Sequence, residues 1–306
     1  MPNLVSTKEL SQKGRDAILA LAEKLEREYK KGKLKKYLED KVIACIFFEP
    51  STRTRLSFES AAKRLGAQVI STENAESNSS AFKGESIEDT ARMLSIYADA
   101  IVMRHRQAGA AHAAAEVSER PIVNAGDGAN EHPTQALQDV YTIKSLLGRL
   151  ENLNIAYAGD LLYSRPLHSI MPLFSTEQKN NFYFISPPEL RLPLEFRKAL
   201  EGRGIKFTES EDWQKILPEF DVLYMTRVQK ERFPDAGQYE KVKDSFILRS
   251  EHLKTMKKDA VIMHALPRVN EIEISVDTDP RAAYFRQAEN GLYVRMAILL
   301  WCLGIK

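Results

Sequence analysis

Val42-Ile43-Ala44-Cys45-Ile46-Phe47-Phe48-Glu49-Pro50-Ser51-Thr52-Arg53-Thr54-Arg55 is the stretch on which the reading of this chain turns. The apolar run Val42 to Phe48 has the length of a buried strand. Leu56, Phe58, Ala61, Ala62 and Leu65 then follow a helical pattern. A turn dense in hydroxyls and guanidiniums therefore sits where a strand feeds a helix. Free backbone N–H groups at a helix start attract anions, and the helix dipole adds to the attraction. Arg53 and Arg55 contribute charge, and Ser51, Thr52 and Thr54 contribute short hydroxyl donors. The turn is predicted to hold a phosphate group. It lacks a glycine-rich loop ending in Lys-Ser/Thr, so it is not the common nucleotide P-loop.

Working outward, helical patterns alternate with short apolar runs. Ser11 is predicted to cap a helix with Ile18, Leu21, Ala22 and Leu25 on its apolar face. Glu26 to Lys36 reads as its solvated, charged tail. Strands are expected at 42–48, 68–72, 100–104, 121–124, 154–158, 181–185, 205–208, 221–225 and 260–263. Helices are expected at 53–65, 86–97, 109–118, 133–147, 166–174, 193–201, 250–256 and 293–303. Repeated strand–helix units imply parallel sheets covered on both faces. The expected fold is α/β with two domains, each a parallel sheet flanked by helices. Residues 1–132 with 286–306 form the first, 133–149 a linking helix, and 150–285 the second. The apolar C-terminal helix, with Val294, Ala297, Ile298, Leu300 and Trp301, is expected to return to the first domain.

Composition bounds the function. The 306 residues suffice for two domains, and 43% are hydrophobic, as in a globular protein. Lys+Arg 44 against Asp+Glu 42 gives a formal charge of +2, which provides no basic stripe for nucleic acid. Cys45 and Cys302 lie in apolar segments and read as core thiols of a reducing compartment, not as a disulfide or zinc framework. No run approaches the roughly 20 apolar residues that span a bilayer. Met1-Pro2-Asn3-Leu4-Val5 lacks the pattern of a signal peptide. The expectation is a cytoplasmic protein with no metal, no nucleic acid and no membrane partner.

Ligands of α/β sheets sit beyond the carboxyl ends of strands. Six polar clusters stand there in this sequence: Ser51–Arg55, Arg104-His105, His132-Pro133-Thr134-Gln135, Gly159-Asp160 with Arg165-Pro166-Leu167-His168, Met225-Thr226-Arg227-Val228-Gln229, and His264-Ala265-Leu266-Pro267-Arg268. A single arginine there is an ordinary surface charge, and a lone serine an ordinary helix cap. Six recurrences favour one shared site. His132 and Gln135 fall on the same face of a first helical turn.

With Phe47 to Arg55, Arg104-His105, His132 to Gln135, Tyr224 to Arg232 and Leu266-Pro267-Arg268 in this order, the chain resembles the carbamoyltransferases nearly end to end. Arg227-Val228-Gln229 resembles their aspartate branch. The resemblance implies transfer of the carbamoyl group of carbamoyl phosphate to the amine of L-aspartate, giving N-carbamoyl-L-aspartate and phosphate, a step of de novo pyrimidine biosynthesis. No cofactor is implied. Orientation and preorganised electrostatics supply the rate.

By resemblance, Ser51, Thr52, Arg53 and Thr54 hold the phosphate. Arg104 bridges phosphate and carbonyl, and Thr54, Arg104 and His132 point at the carbonyl oxygen. Gln135 holds the carbamoyl NH₂ with the backbone carbonyl of Leu266, beside a cis Leu266–Pro267 bond. Arg165 and Arg227 each clamp one carboxylate of aspartate, supported by Gln229; planar guanidiniums match carboxylates as lysine cannot. Ser79 and Lys83, in a polar loop from Asn74 to Glu85, reach the site of a neighbouring subunit in a homotrimer. Glu49, Arg165 and Arg232 lock the closed form. A regulatory chain is a possible partner.

Four places depart from the family pattern. Ala265 replaces a proline, and Phe82 replaces the first of a lysine pair. Leu162 and Gln238 lack charges that pair between catalytic trimers in some relatives. Ser164 and Pro166 flank Arg165 in place of Gly and Thr. Two further readings stand beside the first: a carbamoyltransferase for another amine, and an inactive paralogue acting as a scaffold. Two guanidiniums suit a dicarboxylate and not a diamine, which weighs against the former. The intact set of site residues weighs against the latter.

Overall fold

The computed structural model describes residues 1–75, 84–230, 233 and 235–305. Ser79, Phe82, Lys83 and Arg232 lie outside the described residues, and with them the predicted subunit-crossing loop and part of the predicted closure set. The chain divides into two compact units, Met1–Tyr141 with Glu289–Lys306, and Thr142–Ala288.

The first unit carries a parallel sheet in the order β2-β1-β3-β4. Its strands are β1 (Val42–Phe47), β2 (Gln68–Glu73), β3 (Ala100–His105) and β4 (Ile122–Asp127). The N-terminus adds a parallel bridge from Leu4 to Val123 at the β4 edge. Helices α1 (Gln12–Lys30), α2 (Thr52–Arg64), α3 (Ile87–Tyr97) and α4 (Ala110–Val117) belong to this unit. Strands β1, β3 and β4 are buried on both faces, as strands of a covered parallel sheet are, while the edge strand β2 is largely exposed. Ala44, Ile46 and Phe48 pack in one cluster with Ala91, Ile101, Met103, Ala111 and Ala114. Ile43, Cys45 and Phe47, facing the other way, are fully buried.

The second unit carries a five-stranded parallel sheet, β7-β6-β5-β8-β9. The strands are β5 (Asn154–Gly159), β6 (Asn181–Ile185), β7 (Phe207–Ser210), β8 (Val222–Thr226) and β9 (Val261–His264). Ala156, Ala158, Leu223, Met225 and Ile262 share a cluster with Trp213, Leu217 and Phe220. On the opposite face Tyr157 stacks on Tyr224 at 5.3 Å. Helix α5 (Pro133–Leu147) contains the boundary between the units, between Tyr141 and Thr142. Helices α6 (Arg165–Ile170), α7 (Leu194–Gly202) and α8 (Ala236–Val242) lie in the second unit. The last helix, α9 (Tyr284–Cys302), runs from Glu289 onward in the first unit, as expected. There Tyr293 meets Tyr29 of α1 at 5.7 Å.

Five local expectations are corrected. Helix α9 begins at Tyr284, nine residues before the predicted start, because the polar turns up to Glu289 hid its period. The segment 250–256 holds only a single 3₁₀ turn, His252–Lys254, and α8 went unrecognised behind Gly237 and its charges. Strand β7 is shifted by two residues from 205–208. On α1, Leu19 is buried where Leu21 was expected, and Leu21 is half-buried. Glu26 is not part of a solvated tail: it is buried, accepts the Tyr141 hydroxyl and pairs with Lys30. Both cysteines are buried free thiols, as predicted. Among the described residues, no helix is long and apolar enough to cross a membrane.

Candidate active site

Sheet topology selects the ends of particular strands. In the first unit the chain leaves β1 for β2 on one side, then returns to β3 on the other. In the second it runs β5, β6, β7 outward, then returns to β8 beside β5. The carboxyl ends of β1 and β3, and of β5 and β8, are therefore the switch points where α/β sheets leave a crevice. The predicted residues Glu49 to Thr54 and Arg104 stand at the first. Asp160 to Arg165 and Arg227 to Gln229 stand at the second.

At the first switch point, Ser51 is the N-cap of α2, with φ −157° and ψ 79°, and its side chain makes no capping hydrogen bond. The first turn contains no acidic residue. Thr52 and Arg53 are exposed and Thr54 is buried. Arg55 departs from expectation. It pairs with Glu59 at 2.8 Å and Glu73 at 3.0 Å, so its charge is spent on the sheet edge and not on an anion.

Arg104 is placed by an irregularity in the sheet. Met103 pairs with Asn124 and His105 with Asp127, so two β4 residues oppose one β3 residue. Such a bulge re-aims the side chain it carries. Arg104 is 8% exposed, and its guanidinium donates to the Ala125 carbonyl at 3.2 Å and pairs with Glu49 at 2.6 Å. Gly126 has φ +117°, and a Cβ there would sit 2.9 Å from Arg104 Nη1 and 3.6 Å from His132 Cδ2. Glycine thus lets Arg104 and His132 converge on one strand end. Burial lowers the pKa of Arg104 from the guanidinium value, against the charge of Glu49. Partial desolvation and the nearby Arg104 charge both lower that of Arg53. A guanidinium whose charge is disfavoured by a second guanidinium beside it is a ready receptor for an anion.

His132 and Gln135 open α5. The Gln135 N–H donates to the His132 carbonyl at 3.0 Å, and both residues are 7% exposed. The loop before them hangs on Asp127, which accepts from Gly109 N at 2.8 Å, Asn124 Nδ2 at 3.0 Å and Glu131 N at 3.1 Å. Glu131, also buried, accepts from Ser6 Oγ at 2.6 Å and Thr7 Oγ1 at 2.8 Å. The N-terminal segment therefore clasps the loop that delivers His132. This hub was invisible in the sequence, because its partners lie more than a hundred residues apart.

At the second switch point the organiser is Asp160, which stood in a polar cluster of the sequence with no role assigned to it. It accepts the Tyr163 N–H at 2.9 Å and the Gln229 N–H at 3.3 Å. Gln229 Nε2 donates to the Tyr163 carbonyl at 2.9 Å. The β5 and β8 loops, which carry Arg165 and Arg227, are thus tied together; both arginines are half-buried. Burial pushes Asp160 up to about 6, against those backbone donors and the Arg227 charge. Past β9, His264 Nε2 meets Glu271 at 2.7 Å, and its Nδ1 accepts the Leu266 N–H at 2.8 Å. Leu266 has φ +55°, and the Leu266–Pro267 bond is cis. Arg268 forks onto Asp277. Among the described residues, no cluster of three or more His, Cys, Asp or Glu side chains is arranged to hold a metal.

Fold and site together define an α/β protein with an anion receptor at one switch point and paired arginine loops at another. Models of two domains match it: the aspartate/ornithine carbamoyltransferase carbamoyl-P binding domain over residues 2–145, and the Asp/Orn binding domain over residues 151–302. The chain belongs to the aspartate/ornithine carbamoyltransferase family. It is 48% identical over 299 residues to the aspartate carbamoyltransferase catalytic subunit of Methanocaldococcus jannaschii, covering 98% of this chain and 97% of that one. The solved M. jannaschii aspartate transcarbamoylase catalytic subunit superposes with a TM-score of 0.90, at 48% identity, with 98% and 97% of the two chains covered. Aspartate transcarbamoylase from Trypanosoma cruzi, in complex with carbamoyl phosphate and aspartate, is 35% identical with a TM-score of 0.91, covering 98% and 96%.

Proposed function

We infer that the chain transfers the carbamoyl group of carbamoyl phosphate to the amine of L-aspartate, giving N-carbamoyl-L-aspartate and phosphate. The observation that carries this reading is the receptor at the β1 and β3 ends: Arg53 and Arg104, an unbonded Ser51 hydroxyl and the open start of α2. Ser51, Thr52, Arg53 and Thr54 take the phosphate. When the amine attacks, charge develops on the carbonyl oxygen, and Thr54, Arg104 and His132 stabilise it. Donors fixed beforehand, in a buried setting, need no reorganisation at that moment. Phosphate leaves already bound by cations, which lowers the cost of its departure. Gln135 and the Leu266 carbonyl receive the carbamoyl NH₂.

Arg165 and Arg227, with Gln229 in support, take the two carboxylates of aspartate. Bidentate guanidinium–carboxylate pairing fixes the acceptor's orientation as well as its charge. The same reading makes the protein a cytoplasmic homotrimer of the pyrimidine pathway, with Ser79 and Lys83 serving a neighbour's site; a monomer in analytical ultracentrifugation would overturn that part. The activity is tested by following carbamoyl transfer from carbamoyl phosphate with L-aspartate or L-ornithine as acceptor. Carbamoyl aspartate is the expected product. Turnover with ornithine alone, or no turnover with either, would contradict the reading.

A further inference from the structure

Gln135 Nε2 donates to Asp139 Oδ1 at 2.8 Å, one turn along α5. An ionised carboxylate only accepts, so the NH₂ end of the amide must face it. The Oε1 end is what remains, and it makes no hydrogen bond among the described residues. A primary amide has two ends of opposite polarity, and the end it presents decides what it recognises. A presented oxygen accepts from an NH₂ group and finds no donor on a methyl group.

Asp139 is fully buried, and its charge acts on a buried cation on the last helix. Arg295 is 4% exposed, donates to Gln138 Oε1 at 2.8 Å and lies over the Phe58 ring at 5.4 Å. A Cβ at Gly291 would overlap both Arg295 Nη1 and Gln138 Oε1, so a larger residue there would have to displace this pair. Burial lowers the Arg295 pKa to about 10, against the charge of Asp139, so the guanidinium remains a cation near neutral pH. The site chemistry does not use Arg295 or Asp139 directly. Their arrangement is nevertheless costly to bury, and both stand behind a residue at the mouth of α5.

Resting on the carbamoyl-transfer reading above, we propose that Asp139, by accepting the Gln135 Nε2 hydrogen bond, fixes the polarity of the Gln135 amide and so makes the site choose an acyl phosphate bearing an amino group over one bearing a methyl group. Asp139 and Arg295 are positioning residues for Gln135. Carbamoyl phosphate and acetyl phosphate share the phosphate, the carbonyl and nearly the same volume. They differ in the group that meets Gln135 Oε1. A site built to accept a hydrogen bond discriminates strongly against a ligand that leaves its acceptor unpaired.

The test is the ratio of kcat/KM for carbamoyl phosphate to that for acetyl phosphate, with L-aspartate as acceptor. The fraction of active protein cancels in this ratio, so a merely structural loss does not move it. Gln135→Ala is expected to compress the ratio by about 10- to 100-fold. Asp139→Asn lets the Gln135 amide turn over and is expected to compress it by about 5-fold or more. The double variant Asp139→Leu/Arg295→Met removes both buried charges together, which spares the fold an orphan ion, and is expected to approach Gln135→Ala. A wild-type ratio in both Asp139 variants, with a collapsed ratio in Gln135→Ala, would overturn the proposal alone. A wild-type ratio in Gln135→Ala would overturn it together with the role given to Gln135. No carbamoyl transfer by the wild-type protein would sink the functional reading itself.

Discussion

Ser86 and Ser51 both stand at the N-cap of a helix in the first unit. Ser86, with φ −71° and ψ 159°, accepts the Asp89 N–H at 3.0 Å, and Glu88 and Asp89 answer the positive end of α3. Ser51 leaves its hydroxyl out of the cap, and the turn that follows it carries Arg53 and no acid. The start of α3 is satisfied from within; that of α2 is left positive and unsatisfied. A serine that leaves the cap open while Ser11 of α1 and Ser86 of α3 close theirs marks where stability was set aside for a ligand. The contrast is sharper than any motif, because both helices begin with the same residue type.

The most damaging change to the α2 side should be Arg104→Ala. It removes the buried cation beside Arg53 and His132, and carbamoyl transfer should fall by about 10²- to 10³-fold in kcat. Steady-state kinetics with a thermal-melt control would read this. A loss under about 3-fold in folded protein would mean that Arg104 serves only to balance Glu49.

Next come the serines themselves. Ser51→Ala should weaken carbamoyl phosphate by about 10-fold and leave urea stability within roughly 0.5 kcal/mol. Ser86→Ala should do the reverse, costing about 1 kcal/mol of stability with kcat/KM unchanged. Equal stability losses for the two variants would erase the comparison.

The second unit offers a pH dependence, read in stability and not in turnover. Asp160 has its folded pKa raised to about 6 from an ordinary 3.8. A raised carboxylate favours the folded state fully below the unfolded value and loses that contribution as pH rises through the folded value. Burying Asp160 as an anion therefore costs ~3 kcal/mol at neutral pH relative to its protonated form. The stability of wild type minus that of Asp160→Asn should fall between about pH 4 and pH 6 and be flat above. Urea midpoints across that range decide it, and a flat difference throughout would remove Asp160 as a strained organiser.

Much of this was legible in the sequence, for a physical reason. Parallel strands buried on both faces read as continuous apolar runs, so Val42 to Phe47 and Val222 to Thr226 stood out. Residues that act at the end of their own strand, such as Arg104 and Arg227, are announced by it. What stayed hidden depends on contacts distant in sequence. Arg55 looked like Arg53 until Glu59 and Glu73 claimed it. Glu26 looked like surface until Tyr141 bonded it. Asp139 and Arg295, 156 positions apart in the numbering, carry no shared period that a reader of the chain could detect. The start of α9 was missed because its first turns are polar, and α8 because Gly237 sits within it.

The central claim is that the open, cationic start of α2 is the phosphate receptor of a carbamoyl-to-aspartate transfer. A crystal structure of the protein with N-(phosphonacetyl)-L-aspartic acid tests it most directly. The phosphonate should accept hydrogen bonds from Ser51 Oγ, the first backbone N–H groups of α2 and Arg53, with the two carboxylates on Arg165 and Arg227. Electron density for the phosphonate at any other place, with Ser51 and Arg53 untouched, would contradict the account.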